Sequence, residues 1–162
     1  MKDEGMSRIV KTITSTIFPF IFIYGLYIIA HGHLTPGGGF QGGAVVASGC
    51  VMILVAYGSV WMMKKIKEKN LSVLESLGAI GFIGLAFLGL IFGEVFFSNY
   101  FANSKFFLFG EEVTFGVPEF ANINTAGILP LMNFAVGLKV IAGLFAIVLI
   151  MAYATSKNKE GE

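Results

Sequence analysis

Four long apolar runs constrain this chain more than any other feature of its sequence. They extend over residues 13–30, 41–63, 73–97 and 125–154. A helix needs about 20 mostly apolar residues to cross the hydrocarbon core of a bilayer, and each run approaches or exceeds that length. The strands of a membrane β-barrel instead alternate in polarity over about 10 residues. The sequence therefore predicts an all-α, polytopic membrane protein with four transmembrane helices.

The composition agrees with a membrane protein and leaves no room for a soluble domain. Only 13% of the 162 residues are charged, whereas about 25% is typical of soluble domains. Four spans and their connections use almost the whole chain, so we expect residues 1–162 to form a single membrane domain. We expect any catalytic site or large cofactor to belong to another protein.

Basic residues beside the apolar runs predict the orientation of the helices. The amino terminus, residues 64–69 and the carboxyl tail hold nearly all of the Lys and Arg outside the runs, whereas the two alternate connections hold only Lys105. Basic residues that flank spans tend to remain in the cytoplasm. Both termini should therefore be cytoplasmic, and the aromatic-rich connection over residues 98–124 should lie along the outer surface of the membrane.

The charge balance and the scarcity of metal-binding side chains exclude several classes of function. The chain has 11 basic and 10 acidic side chains and a net charge of +1, which argues against nucleic-acid binding. Cys50 is the single cysteine and there are two histidines, too few for an internal disulfide or a self-contained metal or iron–sulfur site. We therefore expect a non-catalytic chain that binds no cofactor or metal by itself.

Lys139 is the most unusual charged residue because it lies near the middle of the fourth apolar run. A lysine at the centre of a membrane helix costs about 3 kcal/mol on insertion scales. Glu75 and Glu94 fall near opposite ends of the third run, so neither is expected to reach it. Lys139 is therefore expected to pair with another subunit, to take part in a buried proton or ion relay, or to be a neutral amine. Asn133 should give the same helix a mildly polar side.

Histidines and carboxylates near the ends of the runs are further candidates. His31 and His33 follow the first run, where they could handle protons at the mouth of a pathway or simply hydrogen-bond at the interface. The two glutamates are close enough to the membrane surfaces for their carboxylates to reach water. The candidate ion-pathway residues are Lys139, Glu94, His31, His33, Asn133 and Glu75.

A glycine-rich connection between the first two runs reads Gly-His-Leu-Thr-Pro-Gly-Gly-Gly-Phe-Gln-Gly-Gly over residues 32–43. Gly37, Gly39 and Gly42 match the spacing of a dinucleotide fingerprint, but the flanks are membrane helices and not parts of a βαβ unit. Consecutive glycines permit positive φ angles and close contact between helices. Either tight packing or a backbone that lines an ion or water path accounts for them.

The same segment resembles the MnhB-type subunit of multisubunit Mrp-type sodium/proton antiporters, in which G-H-x-x-P-G-G-G-F-x-G-G follows the first helix. The four-helix plan extends the resemblance over nearly the whole chain. The same domain occurs in archaeal membrane-bound hydrogenases and in related sulfane reductases. The motif positions are His33, Pro36, Gly37, Gly38, Gly39, Phe40, Gln41, Gly42 and Gly43.

The last helix departs from the antiporter pattern. Antiporter-type members carry a Phe-Asp-x-Gly segment there, whereas this chain has Phe-Ala-Val-Gly over residues 134–137, followed by Lys139. The carboxylate is replaced by alanine and a basic group stands close behind. The resemblance is therefore to the hydrogenase-associated branch, and it implies no cation-binding carboxylate in this helix.

The resemblance implies a non-catalytic accessory subunit of an Mrp-like Na⁺/H⁺-translocating module in the cytoplasmic membrane, within a hydrogenase-type respiratory complex. It would line or support a cation pathway. The implied partners are other Mrp-like membrane subunits, including a large antiporter-like subunit, together with hydrogenase or sulfane reductase subunits. The alternative is a purely structural scaffold in a stand-alone multisubunit Na⁺/H⁺ antiporter.

Overall fold

The computed structural model describes residues 5–34, 36–93, 95–99 and 127–159. Within them the chain forms helices and no strand. The helices are α1 (Arg8–His31), α2 (Gly39–Tyr57), the short α3 (Ser59–Lys65), α4 (Glu68–Gly93) and α5 (Leu129–Lys159). Four of these helices, α1, α2, α4 and α5, are long and apolar enough to cross a membrane. The predicted all-α fold with four membrane helices is therefore confirmed.

The helices begin and end at other residues than the apolar runs, because hydropathy does not register where a helix stops. The second run was expected to continue to residue 63, but α2 ends at Tyr57, where Gly58 adopts a φ of 91°. Glycine tolerates this left-handed conformation, and the chain restarts as α3 in a new direction. The third run was expected over residues 73–97, but α4 begins five residues earlier and ends at Gly93. Phe97 follows in a turn with a φ of 61°.

The long helices alternate in direction, and α5 lies between α2 and α4. It also contacts α1 and α3. A buried cluster joins α2, α3, α4 and α5 at one end of the bundle; its members are Leu54, Met62, Leu71, Phe145 and Leu149. The amide of Met6 donates to the Ala56 carbonyl at 2.9 Å, which brings the start of the described chain to the same end. We call this the terminal end and the opposite one, which carries residues 32–34 and 36–38, the loop end. That the terminal end is cytoplasmic stays a prediction.

Glycines of α2 bring its backbone into contact with the helices on both sides. A methyl group on Gly42 would lie 2.7 Å from the carbonyl oxygen of Gly25 in α1. One on Gly43 would lie 3.0 Å from the carbonyl oxygen of Gly137 in α5. Because lipid is as apolar as the side chains, such close packing supplies much of the attraction between membrane helices. The glycines of the motif therefore hold α1, α2 and α5 together.

We expect Gly39→Ala to destabilise this packing. The added methyl would meet the Asn133 carbonyl oxygen and would lie 2.9 Å from Cβ of Val136. Overpacking of this kind costs about 1–3 kcal/mol, so the thermal midpoint of the protein purified in detergent should fall.

Gly84→Ala is the matched control, since no atom lies within 4 Å of the added methyl there. Alanine favours a helix over glycine by up to about 1 kcal/mol, so the midpoint should stay unchanged or rise. Equal losses of stability in the two variants would show that contact at Gly39 does not hold α2 against α5.

Candidate functional site

Lys139 lies where α4 and α5 approach each other closely. A methyl group on Gly78 of α4 would be 2.7 Å from the Ala135 carbonyl oxygen and 2.8 Å from the amide nitrogen of Lys139. Only a residue without a side chain allows this approach. The crossing therefore fixes Lys139 against α4, although its side chain remains exposed at the surface of the chain.

A groove of about 610 Å³ runs along this crossing. We call it the Lys139 groove. Among the residues that the structure describes, Lys139 and Glu75 are its two charged lining residues. The remaining walls are mostly apolar and include Phe40, Phe82, Ile83, Val136, Val140 and Leu144.

The structure places Glu75 nearer to Lys139 than its position at the end of the third apolar run suggests. A methyl group on Gly143 would be 3.4 Å from the Glu75 carboxyl carbon and from its Oε1. The carboxylate therefore lies against α5 about one helical turn from Lys139. No ion pair within 4.0 Å joins the two side chains, both of which the structure describes. The expectation that Glu75 does not pair with Lys139 therefore stands, but positions along the two separate runs do not reveal that the two residues share a groove.

A second cavity of about 360 Å³ continues the Lys139 groove toward the terminal end. Glu68 and Ser72 line it, and it shares Glu75, Gly143 and Ile147 with the larger groove. Sequence reasoning missed Glu68 and Ser72. Their spacing, four residues from Glu68 to Ser72 and three from Ser72 to Glu75, is the signal that places all three on one face of a helix.

Asn133 faces a different neighbour from Lys139. A methyl group on Gly32 would lie 2.9 Å from Asn133 Nδ2, and one on Gly38 would lie 3.7 Å from Asn133 Oδ1. The carboxamide therefore sits beside the glycine-rich connection, whereas Lys139 sits beside α4. That the two residues together give this helix a mildly polar side stays a prediction, although their side chains face different neighbours.

The two histidines lie at the loop end in different settings. The His31 ring stacks on Tyr27 with 4.5 Å between centroids. Both ring nitrogens of His33 are shielded from solvent and have no hydrogen-bond partner within the described ranges. Burial lowers the pKa of His33, and the nearby His31 lowers it further, while the Ala30 carbonyl opposes the shift. A neutral imidazole therefore occupies position 33 near pH 7.

The candidate residues do not form one site. Lys139 and Glu75 share the groove, Asn133 and His33 belong to the loop end, and Glu94 and residues 100–124 lie outside the described residues. Phe40 belongs to the motif and also lines the Lys139 groove, which connects the two regions. Among the residues that the structure places, no group of three or more His, Cys, Asp or Glu could hold a metal ion.

Comparison with solved structures finds a similar fold in a chain of a respiratory membrane complex. The chain is similar to one in the structure of the membrane-bound sulfane sulfur reductase, an archaeal respiratory membrane complex, with a TM-score of 0.69 and 29% sequence identity. The match covers 93% of this chain and 62% of that one.

Two curated relatives extend the comparison. An uncharacterized protein of Methanocaldococcus jannaschii is 37% identical over 139 residues, which cover 84% of this chain and 48% of the relative. A Staphylococcus aureus protein described as antiporter subunit mnhB2 is 26% identical over 100 residues, which cover 62% of this chain and 69% of that protein. The chain thus spans about half the length of the archaeal relative.

A family model described as a domain related to the MnhB subunit of Na⁺/H⁺ antiporter matches residues 9–146. The matched range contains α2, α3 and α4 whole and most of α1, and it extends into α5 beyond Lys139. The family is one of antiporter subunits and not of enzymes, which agrees with the expected non-catalytic role. The resemblance inferred from the glycine-rich segment is confirmed, and the chain belongs to the MnhB-related family of Na⁺/H⁺ antiporter subunits.

Proposed function

We propose that this chain is an accessory membrane subunit of an Mrp-like Na⁺/H⁺-translocating module within a respiratory complex of the hydrogenase or sulfane reductase type. In this role it forms part of the wall of a cation pathway in the cell membrane. Its partners are other Mrp-like membrane subunits, among them a large antiporter-like subunit. The family match and the likeness to the sulfane reductase chain support the setting.

One observation carries the pathway role: Lys139 and Glu75 line the same groove at membrane depth. Lys139 lies 10 residues after the start of α5, about 15 Å along the helix axis and hence well inside the hydrocarbon core. Ionisable side chains at that depth are costly, and those that proteins keep there commonly serve ion or proton pathways. The groove is therefore the part of this chain best suited to act on an ion.

The charge of Lys139 gives the groove an electrostatic means of acting on a neighbour. Two unit charges about 4 Å apart interact by about 4 kcal/mol at an effective dielectric constant near 20. Lys139 is exposed on the isolated chain, so an acidic group of an adjacent subunit can approach it. A positive charge there favours the ionised carboxylate and thereby changes how readily that carboxylate binds a proton or Na⁺.

The alternative is a scaffold in a stand-alone antiporter, in which Lys139 serves assembly alone. The glycine contacts of α2 favour this scaffold function, because they are typical of a chain that packs closely against other helices. The two functions differ in what happens when the charge is removed from an intact complex.

Lys139→Ala should lower coupled Na⁺ and H⁺ transport by at least about tenfold, the effect of about 1.4 kcal/mol on a rate, while the complex still assembles. The measurement is ion flux in membrane vesicles together with recovery of the tagged complex. Leu138→Ala is the matched control, because this neighbouring side chain does not line the groove. Loss of the complex in Lys139→Ala alone, or full transport in an intact Lys139→Ala complex, would favour the scaffold.

Glu75→Gln should also lower transport, and its effect should not add to that of Lys139→Ala. Residues that act in one network show coupling in a double-mutant cycle, whereas independent residues add. We expect the double variant to be no slower than the slower single variant in the same flux assay. Strictly additive losses would contradict a shared role for the two side chains.

A further inference from the structure

The two cavities between α4 and α5 form one continuous path along the helices. They share Glu75, Gly143 and Ile147, so the space around the Glu75 carboxylate opens into both. The smaller cavity begins at Glu68, at the amino end of α4. The larger one reaches Lys139.

The polar groups of this path are spaced for water to connect them. Glu68, Ser72 and Glu75 follow one another along one face of α4, which places Glu75 about 10 Å deeper than Glu68 at 1.5 Å per residue. The Glu75 carboxylate lies beside Gly143 of α5. Gly143 is about one helical turn from Lys139, which is about 6 Å along the helix axis. Gaps of about 5–6 Å along the axis between successive polar groups are those that one or two bridging waters span.

Among the described residues, the polar lining stops at Lys139. On the loop-end side the described lining continues with Phe40, Phe82 and Ile83, which offer water no hydrogen-bond partner. Within the part of the chain that the structure describes, polar groups therefore line the path from the terminal end as far as the middle of the membrane, and apolar side chains line it beyond. A path of this shape gives access from one side only.

We infer that the space lined by Glu68, Ser72, Glu75 and Lys139 is a half-channel that carries protons between the terminal end and Lys139. The inference rests on the proposed function, because a transmembrane helix of a neighbouring subunit must cover the open side of the groove and keep lipid out. To the proposed function the half-channel adds the route of the ion, the side from which it enters and its identity as a proton.

The lining chemistry fits a proton and not a metal cation. The ammonium form of Lys139 has three N–H donors and no acceptor, so it repels Na⁺ at the inner end of the path. A proton needs only a relay: Glu75 in its carboxylic acid form gives a proton through water to the amine form of Lys139, which leaves a carboxylate and an ammonium. The ammonium then gives its proton to a carboxylate of the neighbouring subunit, and hydronium from the terminal end restores the acid form of Glu75. The titratable groups facing this relay are Glu68 and Glu75 from α4 and Lys139 from α5, while α2 contributes only Phe40.

The test is thiol accessibility in the assembled complex. Ser72→Cys is introduced together with Cys50→Ala, so that the natural cysteine does not react. Leu74→Cys in the same background is the matched control, because Leu74 lies on the same helix at similar depth, is exposed, and lines neither cavity. The probe is a membrane-impermeant trimethylammonium methanethiosulfonate, applied to vesicles of each orientation.

We expect the cysteine at position 72 to react at least about tenfold faster than that at position 74, since a thiolate must attack the reagent, and a thiol in apolar surroundings does not form one. The reaction should occur from the terminal end only. Ile147→Cys, on the α5 wall of both cavities, is a second reporter that should react in the same way. Equal rates at positions 72 and 74, reaction from the loop end alone, or an unreactive position 147 would overturn the half-channel.

The two proposals fail in distinguishable ways. If the cysteine at position 72 is unreactive while Lys139→Ala still lowers transport, the half-channel is overturned and the proposed function stands. If Lys139→Ala leaves transport intact, both are overturned, even where labelling shows that the groove is wet.

Discussion

The close approach of α2 to its neighbours is the contact on which the rest of the bundle depends. In a bilayer the apolar surfaces of helices gain little by leaving lipid, so van der Waals contact must hold the helices together. Gly42 and Gly43 expose the α2 backbone to α1 on one side and to α5 on the other. Once α5 is held there, its opposite side is free to receive α4.

That arrangement places the charge of Lys139, which is costly inside a membrane, in a groove where it can act on an ion. Gly78 lets α4 settle against α5 beside Lys139, and the same crossing carries Glu75 to Gly143. Neither residue forms an ion pair in the described part of the chain. The two charges share a groove that can hold water instead of cancelling each other, which is the arrangement that a proton path needs. Packing and function thus depend on the same small residues.

Hydropathy was sufficient to predict the number of spans, because the bilayer imposes a minimum length on any apolar helix. It could not predict the break at Gly58, which depends on a single backbone angle. The candidate site was predicted only in part: Lys139 stood out by its depth, but its nearness to Glu75 depends on how far α4 slides along α5. This axial register of the two helices is set by contacts such as that of Gly78 with α5, which the periodicity of a single helix does not reveal.

The position of Asn133 ties the evolution of two distant parts of the sequence together. A methyl group on Gly32 would meet the Gly38 backbone and would also lie 2.9 Å from the Asn133 amide nitrogen. A smaller residue at position 133 would therefore not by itself make room for a side chain at position 32. A bulkier residue at position 133 is accepted only while position 32 remains glycine, so the connection limits what the start of α5 can carry.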